Sequence, residues 1–272
     1  MKNKSIVIIN GDPESTFNEI LIKTLKNKVL RNIDFSIIMV CSEKLFKYEL
    51  KRLNTRINFQ KFKGNNSLSK NNIFIIDIPF NHKDLSVKNK NLYIKKSFDV
   101  GLNLIKKNSS LALINGPISK STFLKGKYNG MTEYLAYKTK SLNEVMLIFN
   151  KELSVSPVTT HIPINKVTNK IKKKIIVSKI TSINKFYKKF LGFKPNIAIT
   201  GLNPHCETFA GKNIEKAEIL PAIKILKKKK NKNFRSFFSR YNFFKKKKKR
   251  IRCSCWHVSR SSAYANENNF RF

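Results

Sequence analysis

Ser5-Ile6-Val7-Ile8-Ile9-Asn10-Gly11-Asp12-Pro13 is an apolar run that ends on a turn. Ile6 to Ile9 are all β-branched, as in a strand covered on both faces, and Gly-Asp-Pro closes it. The next segment, Thr16–Lys28, carries its apolar residues at helical spacing. The same alternation recurs along the chain. Strands are predicted at Phe35–Val40, Ile73–Ile76, Leu111–Ile114, Val145–Phe149 and Asn196–Thr200. Helices are predicted at Glu43–Leu53, Lys96–Lys107, Thr132–Thr139, Lys174–Phe190 and Ile214–Leu226. In Lys174–Phe190 an apolar stripe of Ile176, Ile180, Ile183, Tyr187 and Phe190 faces away from the lysines. Strand-helix alternation of this kind predicts an α/β fold with a largely parallel sheet.

The first nine residues superficially resemble a secretion signal. Their apolar run is too short, and it ends on Gly11-Asp12-Pro13 where a cleavage site would need small residues. It reads as a first strand, which predicts a cytoplasmic protein. No apolar run approaches the roughly 18 residues of a spanning helix, so no membrane partner is expected.

The chain has 272 residues, of which 41% are hydrophobic, and this excludes a disordered or collagen-like polymer. Its 56 Lys+Arg against 16 Asp+Glu give a net charge of +40. Residues 227–272 alone hold 16 basic groups and 1 acidic. Elsewhere the lysines are scattered among Asn and Ile, without the stacking aromatics or arginine forks of a nucleic-acid reading surface. Lys, Asn, Ile and Phe are also residues of A/T-rich codons, so a solvated surface accounts for the charge. A basic nucleic-acid-binding protein using the Lys-rich tail is the competing reading, and it predicts salt-sensitive binding that tail deletion abolishes. Cys41, Cys206, Cys253 and Cys255 have no framework spacing and are expected as reduced thiols.

Sites in α/β folds gather where strands end. The loops there are Gly11-Asp12-Pro13-Glu14, Asn115-Gly116-Pro117-Ile118-Ser119-Lys120, Gly130-Met131-Thr132-Glu133, Thr159-Thr160-His161-Ile162-Pro163 and Gly201-Leu202-Asn203-Pro204-His205. Neither Gly-x-Gly-x-x-Gly nor a Walker A sequence occurs. Of four histidines, His161 and His205 follow strands, and two imidazoles from different strand ends can form half of a divalent-metal site. Each alone reads more readily as a hydrogen-bonded surface group. His82 has nothing to lift it above that reading. Cys253-Ser254-Cys255-Trp256-His257 has cluster composition but no partner pair at zinc-site spacing. Gly116 to Lys120 offers a hydroxyl, a lysine and a helix start suited to phosphate or carboxylate, and reads equally as an ordinary serine-capped turn.

Taken in order, these loops resemble the 4-hydroxythreonine-4-phosphate dehydrogenase family of vitamin B6 biosynthesis. The matching stretches are Gly11-Asp12-Pro13 with Glu19-Ile20, Pro117-Ile118-Ser119-Lys120, Thr132-Glu133-Tyr134-Leu135-Ala136, Thr159 to Pro163, and Gly201 to His205 followed by Glu218-Ile219-Leu220-Pro221-Ala222-Ile223. Each motif is short; five in sequence across residues 6–226 are specific. The resemblance implies an isocitrate/isopropylmalate-dehydrogenase-like fold of two domains, interleaved within residues 1–226 and C-terminally incomplete. It implies a homodimer whose cleft lies between the domains and is completed by the partner subunit. His161 and His205 match two of the family's three metal histidines, with zinc, magnesium or cobalt as the divalent metal. Thr132 matches a substrate-binding threonine. Met131 stands where the family has a histidine, which weakens the inferred contact to the substrate phosphate and leaves room for a related dehydrogenase acting on another hydroxy acid. The implied reaction is NAD- or NADP-dependent oxidation and decarboxylation of 4-phosphohydroxythreonine, a small phosphorylated amino acid, to 3-amino-2-oxopropyl phosphate.

After Leu226 the family pattern stops, and the segment carrying the third histidine does not occur in this frame. The genetic code suggests why. Arg235 to Phe244 can be encoded as AGG TCC TTT TTC AGC CGA TAC AAT TTT TTT, which one base later reads Gly-Pro-Phe-Ser-Ala-Asp-Thr-Ile-Phe, a family segment. Back-translated with the same shift, Arg250 to Asn269 reads Glu-Tyr-Asp-Val-Val-Val-Gly-Met-Tyr-His-Asp-Gln and onward. A frameshift between Lys227 and Arg235 is therefore expected. Residues 227–272 should then form an unstructured tail, and the chain should be inactive.

Overall fold

The structure, a computed structural model, describes residues 4–27, 33–64, 71–107, 112–150, 153–203 and 213–228, and the backbone of 253–256. Its contacts divide the chain into unit 1, Met1–Lys127, and unit 2, Tyr128–Phe272. The sequence reading instead separates residues 1–226 from 227–272, where the basic charge rises.

Unit 1 runs β1 (Ser5–Ile9), α1 (Phe17–Leu25), β2 (Ser36–Cys41), α2 (Glu43–Arg52), β3 (Gln60–Lys61), β4 (Ile73–Asp77), α3 (Val87–Lys107) and β5 (Ala112–Asn115). All strand pairs are parallel in the order β3-β4-β2-β1-β5, with Ile6 opposite both Ile37 and Ala112. Every residue of β2 is buried, as a continuous apolar run requires at the centre of a sheet covered on both faces. Alternation sorts the side chains. Ile8, Ile37, Met39 and Ile75 pack with Leu21, Ile22 and Phe46 of α1 and α2. On the other face Gly101 of α3 comes so close to β1 that a Cβ there would lie 2.6 Å from Ile9 Cδ1 and 3.6 Å from Val7 Cγ1. The chain leaves β1 in one direction through β2 and β4 and returns to its other side as β5. The loops after β1 and β5 therefore meet where the strand order reverses.

Unit 2 contains α4 (Met131–Thr139), β6 (Ser154–Pro157), α5 (Val167–Lys170), α6 (Lys173–Leu191), β7 (Ile197–Ile199), α7 (Leu220–Lys228) and β8 (Cys253–Trp256). The predicted stripe on α6 is buried at Ile176, Ile180, Ile183 and Tyr187, together with Ile197, Ile199, Ile219, Ile223 and Leu226. Phe190 departs from it and is half-exposed, two residues before the left-handed Gly192 ends the helix. The strand predicted at Val145–Phe149 is not one. That apolar run forms a single antiparallel bridge, Ile148 to Val155, beside the strand Ser154–Pro157. Serine made this strand hard to read. Ser154 and Ser156 are buried because their hydroxyls donate to the carbonyls of Asn150 (3.1 Å) and Met146 (2.8 Å).

The expectation of an unstructured tail is corrected at 253–256. Cys253–Trp256 is the middle strand of a parallel sheet ordered β6-β8-β7, paired with Ser154–Pro157 on one side and Ile197–Ile199 on the other. Ladder hydrogen bonds come from the main chain, so a proline-free segment can fill this slot whatever its side chains. The rest of the tail, including His257, lies outside the described residues. Among the described residues no helix is long and apolar enough to cross a membrane.

Candidate functional site

In unit 2, α4 starts at Met131 after Gly130, whose extended backbone (φ −172°) gives no side-chain cap to the first-turn amides. Met131 and Thr132 are half-buried there, with Glu133 completing the turn. The loop after β6 carries Thr159, Thr160 and His161. His161 is exposed and left-handed (φ +53°), a conformation that costs an L-residue energy and marks a constrained position.

These two segments meet at Gly130. A Cβ on Gly130 would lie 3.1 Å from Glu133 Oε2 and 3.4 Å from His161 Nε2. The Thr160 hydroxyl donates to Glu133 Oε1 at 2.9 Å and ties the helix start to the histidine loop. Glu133 Oε2 is buried and has no hydrogen-bond partner. The structure therefore brings His161 together with the turn bearing Thr132 and Met131. His205 lies outside the described residues. The chain reaches it from β7, and the Leu202 amide just after that strand is held by the buried Glu215 Oε1 at 3.1 Å.

Because β6, β8 and β7 are parallel, their C-terminal ends share one edge of the sheet. The His161 loop after β6 and the chain after β7, described to Asn203, leave from that edge, one on each side of β8. An imidazole nitrogen beside a buried, unsatisfied carboxylate oxygen is a donor set that suits a divalent cation. Among the described residues, no three His, Cys, Asp or Glu side chains converge, so His161 and Glu133 offer two donors here and not a complete set. Sequence reasoning passed over Glu133 as a site residue, since a glutamate at the third helical position reads as an ordinary N-terminal cap.

At the strand-order reversal in unit 1, the Gly116 amide donates to the Ile9 carbonyl (2.7 Å) and the Asp12 amide to the Pro117 carbonyl (2.8 Å). Gly11 sits at φ +77°, and a Cβ there would lie 2.3 Å from the Pro117 carbonyl oxygen. These glycines let two loops lock together and leave no glycine-lined cradle for a pyrophosphate. Ser119 accepts the Thr122 amide at 3.4 Å, so its hydroxyl caps the turn Lys120–Leu124, while Lys120 stays exposed. His82 is exposed. Cys41 is buried, and burial, followed by the charges of Asp77 and Glu43, pushes its thiol well above the usual range, leaving it unreactive.

Comparison with known proteins gives one consistent result. The sequence model of the family described as "Pyridoxal phosphate biosynthetic protein PdxA" matches residues 34–255. A 4-hydroxythreonine-4-phosphate dehydrogenase from Sulfurihydrogenibium sp. is 33% identical over 232 residues, covering 82% of this chain and 70% of that protein. A D-threonate 4-phosphate dehydrogenase from Salmonella typhimurium is 26% identical, over 78% of this chain and 66% of its own length. The crystal structure of a 4-hydroxythreonine-4-phosphate dehydrogenase from Klebsiella pneumoniae superposes with a TM-score of 0.69 at 24% identity, covering 84% of this chain and 73% of that one. That likeness extends to the α/β fold with its parallel sheets.

Proposed function

The chain belongs to the PdxA family of pyridoxal phosphate biosynthetic proteins, and from that premise we propose that it descends from an enzyme oxidising and decarboxylating 4-phosphohydroxythreonine. Its relatives are dehydrogenases, and the oxidoreductase class is therefore its own. The observation that carries the finer reading is the parallel β6-β8-β7 edge, where the His161 loop leaves beside the start of α4 and the chain toward His205 leaves from β7.

Each residue's part follows from its position. Thr132 and the uncapped first-turn amides of α4 would bind the anionic end of the substrate, which the helix dipole favours. His161 would hold a divalent cation at the side of that helix start, joined by His205. Such a cation would supply Lewis acidity at the substrate hydroxyl and at the charge developed on loss of CO2, and NAD or NADP would supply the hydride acceptor. The protein's share is to orient the hydroxyl carbon and the carboxylate against these groups. No residue is assigned to the nicotinamide. The proposal includes a homodimer.

A second reading keeps the fold and changes the substrate. Met131 replaces a charged or donating side chain at the helix start with a thioether, and the Salmonella typhimurium relative acts, by its name, on D-threonate 4-phosphate. A hydroxy acid lacking the amino group is its natural candidate.

The frameshift belongs to the same proposal. In the shifted frame the codons of Cys253–Trp256 contribute to Val-Val-Val, and the histidine follows just after. This would place a third histidine loop after β8, between the other two. Resequencing the gene across Leu226 to Arg235 tests this, and a spurious base is the expected result. The enzymatic test supplies 4-phosphohydroxythreonine or D-threonate 4-phosphate with NAD or NADP and Mg, Co or Zn. The frame-corrected protein should reduce the nicotinamide in a metal-dependent way, and the chain as it stands should not. Activity in the uncorrected chain would overturn the frameshift reading, and inactivity of both chains would overturn the dehydrogenase one.

A further inference from the structure

We propose that Glu133 is a cation-binding residue of this site, with its free Oε2 serving the same divalent cation as His161; the inference rests on the metal-dependent reading above. Two observations carry it. The first is the division of labour between the carboxylate oxygens. Oε1 is engaged by the Thr160 hydroxyl, which fixes the side chain, while Oε2 is buried with no donor. A carboxylate oxygen removed from water without a partner is costly, and folds retain one where a ligand completes it. The second is where Oε2 sits. It and His161 Nε2 both lie within 3.5 Å of one point, the Cβ position that Gly130 lacks. A side chain at Gly130 would fill the space between them. Glycine keeps that space open.

An N-terminal capping role explains less. A capping glutamate at this position reaches back to the N-cap amide, whereas the recorded bond of Glu133 runs to Thr160 on a different element. A brace between α4 and the histidine loop would use Oε1 alone and would leave Oε2 better replaced by an amide.

Cobalt(II) titrated alone into the full chain, followed by its visible absorption and by calorimetry, separates these possibilities. Glu133→Gln keeps an oxygen for Thr160 and removes the charge, so its thermal midpoint should match or exceed that of the parent chain. Its cobalt affinity should fall at least tenfold, the low end of what loss of a metal-site partner costs. Thr160→Val, which removes only the brace, should fall less than Glu133→Gln. Unchanged affinity in Glu133→Gln with loss in His161→Asn would overturn the role of Glu133 and leave the metal reading standing. A parent chain that binds no cobalt, or a His161→Asn variant that binds it unchanged, would overturn the metal reading and this inference with it.

Discussion

The strands of unit 1 are drawn in order from the chain between Ser5 and Asn115, whereas unit 2 takes its middle strand, Cys253–Trp256, from beyond α7. The strands themselves differ too. β2 is a fully buried run of Ile, Met and Val, while β6 alternates Ser154 and Ser156 with a single valine and keeps its hydroxyls bonded to nearby carbonyls. Unit 2 places its apolar weight in α6 and α7 instead. A parallel sheet can thus be specified by its own side chains, as in unit 1, or by the helices that cover it and a main-chain slot, as in unit 2.

Truncation after Lys228 tests that contrast most severely. It removes β8 and exposes facing main-chain edges on β6 and β7. Hydrogen exchange should accelerate at Ser154–Pro157 and Ile197–Ile199 toward unprotected rates, while β1, β2 and β4 stay protected. Equal loss in both units would show that unit 1 also depends on the tail. A smaller effect is expected from Tyr187→Phe, which deletes the 2.9 Å bond from the buried tyrosine hydroxyl to Ser154 Oγ. Unit 2 should lose about 1 kcal/mol in denaturant unfolding and unit 1 nothing. The smallest effect falls on unit 1. Glu19 is held below its ordinary 4.5 by Lys23 and then Arg52, and Glu43 by Lys47. Both carboxylates are more acidic folded than unfolded. Their contribution is therefore present above pH 4.5 and fades as the pH falls further. Because the basic partners of both carboxylates are exposed and the pairs lie at the surface, salt should erase most of this slope, and an acid midpoint indifferent to salt would count against it.

Legibility from sequence follows the same division. β1, β2, β4 and β5 announce themselves as short apolar runs, and each lies within about one residue of where the sequence reading puts it. β6 does not, because what makes Ser154 and Ser156 suited to the interior is a set of bonds to Asn150, Met146 and Tyr187 that only the folded chain supplies. The apolar Val145–Phe149 drew the prediction in its place. β8 was hidden for another reason: a lysine-rich setting reads as solvated, and nothing in Cys-Ser-Cys-Trp shows that two strands far back in the chain leave a gap for it. At the site, His161, Thr132 and Met131 were visible as a loop and a helix start. Glu133 was visible too, but only the contact with Thr160 and the unpaired Oε2 distinguish it from a helix cap.

The late position of β8 also sets the order in which a ribosome can finish the molecule. All of unit 1 has been synthesised before unit 2 begins, and its local strand order lets it form as it emerges. Unit 2 cannot close until Trp256 has been added, several seconds after β7 at roughly 5–20 residues per second. During that interval β6 and β7 are two open edges on a tethered nascent chain, the form in which strands pair with the wrong partner. This interval, more than the folded state, is where unit 2 would depend on chaperones during synthesis.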